Sequence, residues 1–133
     1  MNGWPEPAPA DATTAPWWDA TRDRRLLLQR CAACHSVQHP PRAVCTSCGG
    51  GDLGWATASG RGTVDAWTSV HRAPTPGLET PYVVARVRLD EGPVLLTNLE
   101  PPAHAWRCWA PVHVVWRPLP DGRQLPVFVP LEH

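Results

Sequence analysis

The sequence predicts a mainly β protein, in which a short helix and a metal-binding ribbon precede a five-stranded antiparallel barrel. Three observations carry that expectation: two Cys-x-x-Cys pairs ten residues apart, period-two alternation of apolar residues beyond residue 60, and Gly-, Pro- and Asp-containing turns between the alternating stretches. A chain of 133 residues holds one ordinary domain, or two small modules with a shared core.

The elements follow in order. Residues 1–15 are rich in Pro, Ala and Thr and are expected to form a flexible arm, with Trp4 as its one anchoring side chain. Residues 16–59 are expected to hold the helix and the ribbon. Pro16 offers a helix N1 position with Thr14 or Ala15 before it, which places a helix over Trp17 to Arg24. Adjacent Trp17 and Trp18 cannot share one helix face. Either one packs on the domain while the other meets a partner, or both fold under the arm. Leu26 to Arg30 reads as a strand feeding the first cysteine turn, and Leu53 to Thr57 as the returning strand.

No apolar run approaches the length that spans a bilayer, and the N-terminus lacks both a basic region and an apolar signal core. A cytoplasmic location is therefore expected, with no membrane partner. In that reducing setting, closely paired cysteines are metal ligands or redox groups rather than structural disulfides. Cys31, Cys34, Cys45 and Cys48 supply four soft thiolates from two turns, which is the donor set of a closed tetrahedral site. A redox dithiol instead needs a single Cys-x-x-Cys opening a helix in a βαβ unit, whereas these pairs flank the proline-bearing hairpin His39-Pro-Pro-Arg42. The expected cofactor is zinc. Iron in a rubredoxin-like site is the alternative, because four cysteinates bind either metal. A full shell of four thiolates leaves no open coordination position, so the site reads as a structural clamp. His35 and His39 then read as surface histidines, and Cys108, in an apolar run, as a buried small hydrophobe.

Residues 60–130 are expected to form the barrel. Gly60-Arg-Gly62 breaks the chain, and strands are expected over Thr63 to His71, Tyr82 to Leu89, Val94 to Leu99, Val112 to Arg117 and Leu125 to Val129. In the second, Val83, Ala85, Val87 and Leu89 face one way while Arg86 and Arg88 face the other. In the fourth, Val112, Val114 and Trp116 oppose His113 and Arg117. Asp90-Glu-Gly-Pro93 and Pro120-Asp-Gly122 are hairpin turns that pair strands two with three and four with five. Five short antiparallel strands in this length indicate a small Greek-key barrel, the OB-fold. The closing Leu-Glu-His, residues 131–133, reads as a tag remnant.

Taken together, Leu-Leu-Gln-Arg-Cys-Ala-Ala-Cys (27–34), Pro-Pro-Arg-Ala-Val-Cys-Thr-Ser-Cys-Gly (40–49), Gly-Thr-Val (62–64), Pro-Tyr-Val-Val-Ala (81–85) and Pro-Val-Phe (126–128) resemble the zinc-ribbon plus OB-fold family known as domain of unknown function 35. The resemblance covers about residues 16–130. It implies an accessory subunit bound to a thiolase-fold enzyme that handles acyl-CoA thioesters, a thiolase or a retro-aldolase of steroid side-chain degradation. The resemblance further implies a two-plus-two heterotetramer, with acyl-CoA at or near the interface. Two departures from the family pattern stand out: His35 replaces the usual glycine after the first cysteine pair, and Trp109 in Cys108-Trp-Ala-Pro-Val112 replaces another.

The residues are compatible with three classes of function. The accessory subunit fits the absence of a recognisable catalytic motif in the sequence: His71, His104 and His113 each read as a surface or hydrogen-bonded histidine rather than a base. Its candidate partner contacts are Trp17, Trp18 and Trp109, and its candidate acyl-CoA contacts are Arg72, Arg86 and Arg88. The same arginines also read as a solvated strand face. Alternatives within this class are a subunit of an acetoacetyl-CoA-type thiolase or of an acyltransferase. The second class is a single-stranded nucleic-acid-binding OB module, with Trp55, Trp67, Trp106, Trp109 and Trp116 as stacking platforms. The third, an independent metalloenzyme, conflicts with a closed cysteine shell.

Charge decides against nucleic acid. Twelve basic residues, all arginine, cancel twelve acidic ones, so the counterion-release term that dominates such binding is small. Gel shift at low and moderate salt is expected to show no submicromolar binding of single-stranded DNA or RNA, and tight, salt-sensitive binding would reverse this reading.

Overall fold

The computed structural model describes residues 7–131; Trp4 and the last two residues of the expected tag remnant lie outside that range. Within the expected arm, the Asp11 side chain accepts the N–H groups of Thr13 and Thr14 at 3.0 and 2.8 Å, and the Asp11 carbonyl accepts Ala15 N–H. This knot starts helix α1 (Ala15–Arg22) earlier than expected, because Asp11 rather than Thr14 satisfies the first free N–H groups. The helix also ends sooner. Arg24 takes the left-handed conformation (φ 56°), with Arg24 N–H to Thr21 O and Arg25 N–H to Ala20 O, the paired bonds of a Schellman stop.

The ribbon is a three-stranded sheet of β1 (Leu27–Cys31), β2 (Val37–Gln38) and β3 (Leu53–Thr57), in the order β2-β1-β3. Strand β2 has only two residues, too short for any sequence pattern to reveal. Cys31 ends β1 opposite Leu53, so the β1–β3 ladder aims the first cysteine turn at the loop that carries the second. Leu26, Leu27 and Leu28 are all buried and belong to the same hydrophobic cluster as the barrel interior. The ribbon and the barrel therefore share one core.

The barrel consists of β4 (Arg61–Val70), β5 (Tyr82–Leu89), β6 (Val94–Leu99), β7 (Pro111–Pro118) and β8 (Gln124–Pro130), closed in the order β4-β5-β6-β8-β7. The expected five strands and both antiparallel hairpins are present, with β5 on β6 and β7 on β8. Val83, Ala85, Val87 and Leu89 fill the interior while Arg86 and Arg88 are exposed. A parallel contact between β6 and β8, in register at Leu99 and Phe128, completes the wall. Phe128, the chain's one phenylalanine, is fully buried there.

The glycines at the ribbon–barrel junction answer to space. Gly60 has φ 84°, and a Cβ there would lie 2.6 Å from Val114 Cγ1. A Cβ on Gly62 would run into the backbone carbonyl of Arg88 and come within 3.0 Å of Val87 Cγ1. Backbone cannot swing aside as a side chain can. Gly62→Ala is therefore expected to cost about 1–3 kcal/mol through forced separation of β4 from β5, read as a lowered midpoint in denaturant unfolding; an unchanged midpoint would contradict the close packing.

Candidate functional site

The four cysteines converge as expected. Their sulfurs all lie within 4.8 Å of one another, with Cys31–Cys48 and Cys34–Cys45 at 3.6 Å. A tetrahedron of thiolates about 2.3 Å from a central ion has edges of about 3.8 Å, so the set is sized for a tetrahedral metal. Cys31 and Cys45 are buried, Cys34 and Cys48 exposed, which places the cluster at the surface with one side against the ribbon.

The two cysteine turns are built alike. His35 N–H bonds to Cys31 O and Gly49 N–H to Cys45 O, both at 2.9 Å, and both residues are left-handed, at φ 65° and 78°. That geometry explains the glycine expected after the first pair: position 35 is the counterpart of Gly49, and His35 holds the turn at a conformational cost. Backbone N–H groups of Cys34, Ser47 and Gly50 point at the sulfurs of Cys31, Cys45 and Cys48, at 3.5, 3.4 and 3.4 Å. The Ser36 hydroxyl, 3.2 Å from Cys34 Sγ, together with the Ser36 N–H, brings the Cys34 thiol down to about 6. At Cys48 the Gly50 N–H pulls the other way, but the three neighbouring cysteines outweigh it and push that thiol up to about 11. Four sulfurs this close ionise together only around a cation.

A buried amide pair, absent from the sequence reading, braces the second turn. Gln38 Nε2 donates to Gln29 Oε1 at 2.8 Å; Gln29 grips both backbone groups of Arg42, and Gln38 Oε1 accepts Thr46 N–H at 2.9 Å. Gln29 and Gln38 are 4% and 8% exposed, and their alternation with apolar neighbours carried no signal of a polar network.

The tryptophans separate sharply. Trp17 is buried, its ring against Trp18 (4.7 Å) and His39 (5.6 Å). This corrects two expectations: Trp17 cannot project as a partner anchor, and His39 is not a surface histidine, burial having lowered it to about 4. Trp18 is half-buried, covered by the Arg123 guanidinium 4.6 Å from its ring centre. Arg123 is itself 5% exposed; it donates to Asp121 and to the carbonyls of Pro7 and Ala8, tying residues 7–8 to the barrel hairpin. Trp109 is 70% exposed at φ 69°, the left-handed position where the family pattern has glycine. Its backbone is pinned by Trp109 N–H to Val64 O at 2.7 Å. Cys108 is exposed rather than buried, because the apolar run 105–110 is a loop that buries Trp106 and Ala110 instead. Among the platform candidates, Trp106 is buried and Trp116 packs against the core, while Trp55 and Trp67 are exposed.

Arg86 and Arg88 flank Asp65 on the barrel exterior at 3.4 and 3.7 Å, and Arg72 lies exposed in the β4–β5 loop. The three arginines do not form one cluster with the cysteines or Trp109 in any contact the structure records. No helix among the described residues is long and apolar enough to cross a membrane.

Fold and site together define a zinc-ribbon plus OB-fold protein. The model of the ChsH2 rubredoxin-like zinc ribbon domain matches residues 18–54, and that of the ChsH2 C-terminal OB-fold domain matches residues 55–117. The chain belongs to the ChsH2 family within DUF35. A solved structure described as the Ltp2-ChsH2(DUF35) aldolase superposes with TM-score 0.86 at 40% identity, over 94% of this chain and 98% of that one. A DUF35 protein of unknown function from Sulfolobus solfataricus shares the fold alone, with TM-score 0.63 at 16% identity over 78% of each chain. In sequence, the chain is 41% identical over 126 residues to a Thermomonospora curvata protein described as a "Probable enoyl-CoA hydratase alpha subunit", covering 93% of this chain and 40% of the relative. It is 35% identical over 86 residues to the Mycobacterium tuberculosis 3-oxo-4,17-pregnadiene-20-carboxyl-CoA hydratase alpha subunit, covering 65% of this chain and 27% of that protein. A Pyrococcus furiosus DUF35 domain-containing scaffold protein is 38% identical over 86 residues, 62% of each chain.

Cys45, the buried cysteine of the second turn, offers a direct test of the cluster. Cys45→Ser is expected to lose the bound metal, measured by elemental analysis, and to lower stability by more than about 3 kcal/mol; unchanged metal content and melting temperature would show that the four thiolates hold nothing.

Proposed function

We propose that this chain is a non-catalytic accessory subunit of a thiolase-fold acyl-CoA enzyme, a retro-aldolase of steroid side-chain degradation. The observation that carries this is the match, over nearly the whole of both chains, to the DUF35 component of the Ltp2-ChsH2 aldolase. The hydratase alpha subunits among the relatives support an acyl-CoA setting, and their greater length allows for a larger protein around the shared region. A subunit of an acetoacetyl-CoA-type thiolase or of an acyltransferase is the alternative; the scaffold description of the Pyrococcus relative fits a non-catalytic role in either case.

Zinc is the metal we assign to the cysteines, with iron the alternative donor fit. Cys31, Cys34, Cys45 and Cys48 would hold it, and its chemistry there is charge neutralisation of four thiolates and closure of two turns. With the shell filled by sulfur, substrate has no place on the metal. Among the described residues, His39 lies against Trp17, His104 against Trp106, and His113 on β7 opposite Val129, apart from one another in the fold. The assembly is a cytoplasmic two-plus-two heterotetramer in this reading, with acyl-CoA near the interface and its phosphates met by the exposed Arg72, Arg86 and Arg88, the last two of which also face Asp65.

Trp109 is the partner contact best supported. A left-handed tryptophan costs about 1 kcal/mol in backbone strain, and its exposure leaves that cost without return in the isolated chain. Co-expression with a thiolase-fold aldolase from the same genome, followed by size-exclusion chromatography and a retro-aldol assay, tests the reading. A co-eluting complex is expected, inactive when either chain is omitted, with Trp109→Ala weakening association by about 2 kcal/mol or more. An aldolase fully active and monodisperse without this chain, or turnover by this chain alone, would refute it.

A further inference from the structure

The two cysteine turns share a hydrogen-bond plan and differ at one position. In the first, Cys31 N–H bonds to Ser36 O and His35 N–H to Cys31 O, both at 2.9 Å. In the second, Cys45 N–H bonds to Gly50 O at 2.8 Å and Gly49 N–H to Cys45 O at 2.9 Å. The residue after each leading cysteine turns its N–H outward, and here the two differ. Ala32 N–H finds a main-chain acceptor, Asp52 O, at 2.9 Å, one residue ahead of β3. Thr46 lies between β2 and β3, outside every ladder. Its N–H is accepted at 2.9 Å by a side chain, Gln38 Oε1, which also accepts the Thr46 hydroxyl at 3.1 Å.

Gln38 holds the second turn from both sides of Cys45, because its Nε2 also donates to Val44 O at 3.2 Å. Sulfur contacts aside, every hydrogen bond that ties residues 44–50 to the rest of the described chain ends on Gln38. The amide is fixed in orientation as well. Nε2 gives its second N–H to Gln29 Oε1 at 2.8 Å, so turning the group over would set its oxygen against two acceptor oxygens. Gln29 is held in turn by Arg42, whose N–H it accepts at 2.8 Å and to whose carbonyl it donates at 2.9 Å. Neither methionine nor glutamate at position 38 can make this set of bonds.

We propose that Gln38 is the positioning residue for the second pair of metal ligands: by holding Val44 and Thr46 it sets where the Cys45 and Cys48 sulfurs stand. The short sulfur contacts cross between the turns, Cys31 with Cys48 and Cys34 with Cys45, so a shift of the second turn displaces both. Side chains behind metal ligands orient them, and losing such a side chain typically costs roughly 10–100-fold in metal affinity. A side chain thus does for the second turn what the main chain before β3 does for the first. The inference rests on the metal assignment to the four cysteines.

The test uses the metal-loaded full chain, with chelator competition for affinity and N-ethylmaleimide labelling of each cysteine, resolved by mass spectrometry. Cys108, exposed and outside the cluster, labels first in the wild type and serves as the reference. Gln38→Met is expected to weaken metal binding by at least about tenfold, and to label at Cys45 and Cys48 well ahead of Cys31 and Cys34. Gln29→Met, which leaves the bonds from Gln38 to Val44 and Thr46 in place, is expected to have the smaller effect on both readings. Should Gln38→Met fail to load metal, Gln38→Asn, which keeps the amide on a shorter arm, carries the same expected order of labelling. Equal acceleration at all four cysteines would show that Gln38 supports only the folding of the ribbon, and unchanged affinity and labelling that it supports neither; either result overturns the proposal. If the wild type binds no metal, the metal assignment fails and this inference falls with it.

Discussion

Four cysteine sulfurs gathered within 4.8 Å are the constraint on which the N-terminal half depends. The ribbon has three strands, one of them two residues long, and much of its surface is exposed. Such a segment does not offset its chain entropy by burial alone. A cation among the thiolates would supply what the apolar contacts lack, at the end of β1. Cys31 closes that strand three positions after Leu28, which with Leu27 enters the common core. The metal site therefore fixes the direction from which the ribbon meets the barrel, and with it the loop that carries His39, Pro40 and Pro41 to the helix.

A second node locks the helix and the N-terminal segment to the opposite wall. Arg123 lies flat over Trp18, bonds Asp121 on its own turn, and holds the carbonyls of Pro7 and Ala8. Arg22 reaches the same turn through the Asp121 carbonyl. An arginine this buried is stable because its charge is shared among a carboxylate, two carbonyls and a ring face. The two nodes together hold Trp17 and Trp18 against β6 and β8, where ribbon, helix and barrel meet.

What could be read from the sequence followed the strength of the local signal. The barrel strands were legible because Val83, Ala85, Val87 and Leu89 alternate without interruption, and the hairpins because Gly92 and Gly122 sit at turns that need positive φ. The thiolate cluster was legible from spacing alone. The fates of Trp17, His39 and Cys108 were not, since each depends on which segment covers it: Trp17 and His39, twenty-two positions apart, meet only because the ribbon turns back on the helix, and Cys108 is exposed because its run is a loop. Gln29, Gln38 and Arg123 were invisible for the same reason, as a polar residue's burial is decided by partners distant in sequence. The two family glycines replaced here are explained by structure: positions 35 and 109 are both left-handed.

The central claim, that the cysteine cluster holds the ribbon in the core it shares with the barrel, is tested most directly by residue-resolved hydrogen exchange before and after chelation. The account predicts that amides of residues 27–57 lose their protection when the metal is removed, with a smaller loss at Val64, Val83 and Val87, whose ladders lie within the closed barrel. Unchanged protection over residues 27–57 would contradict it.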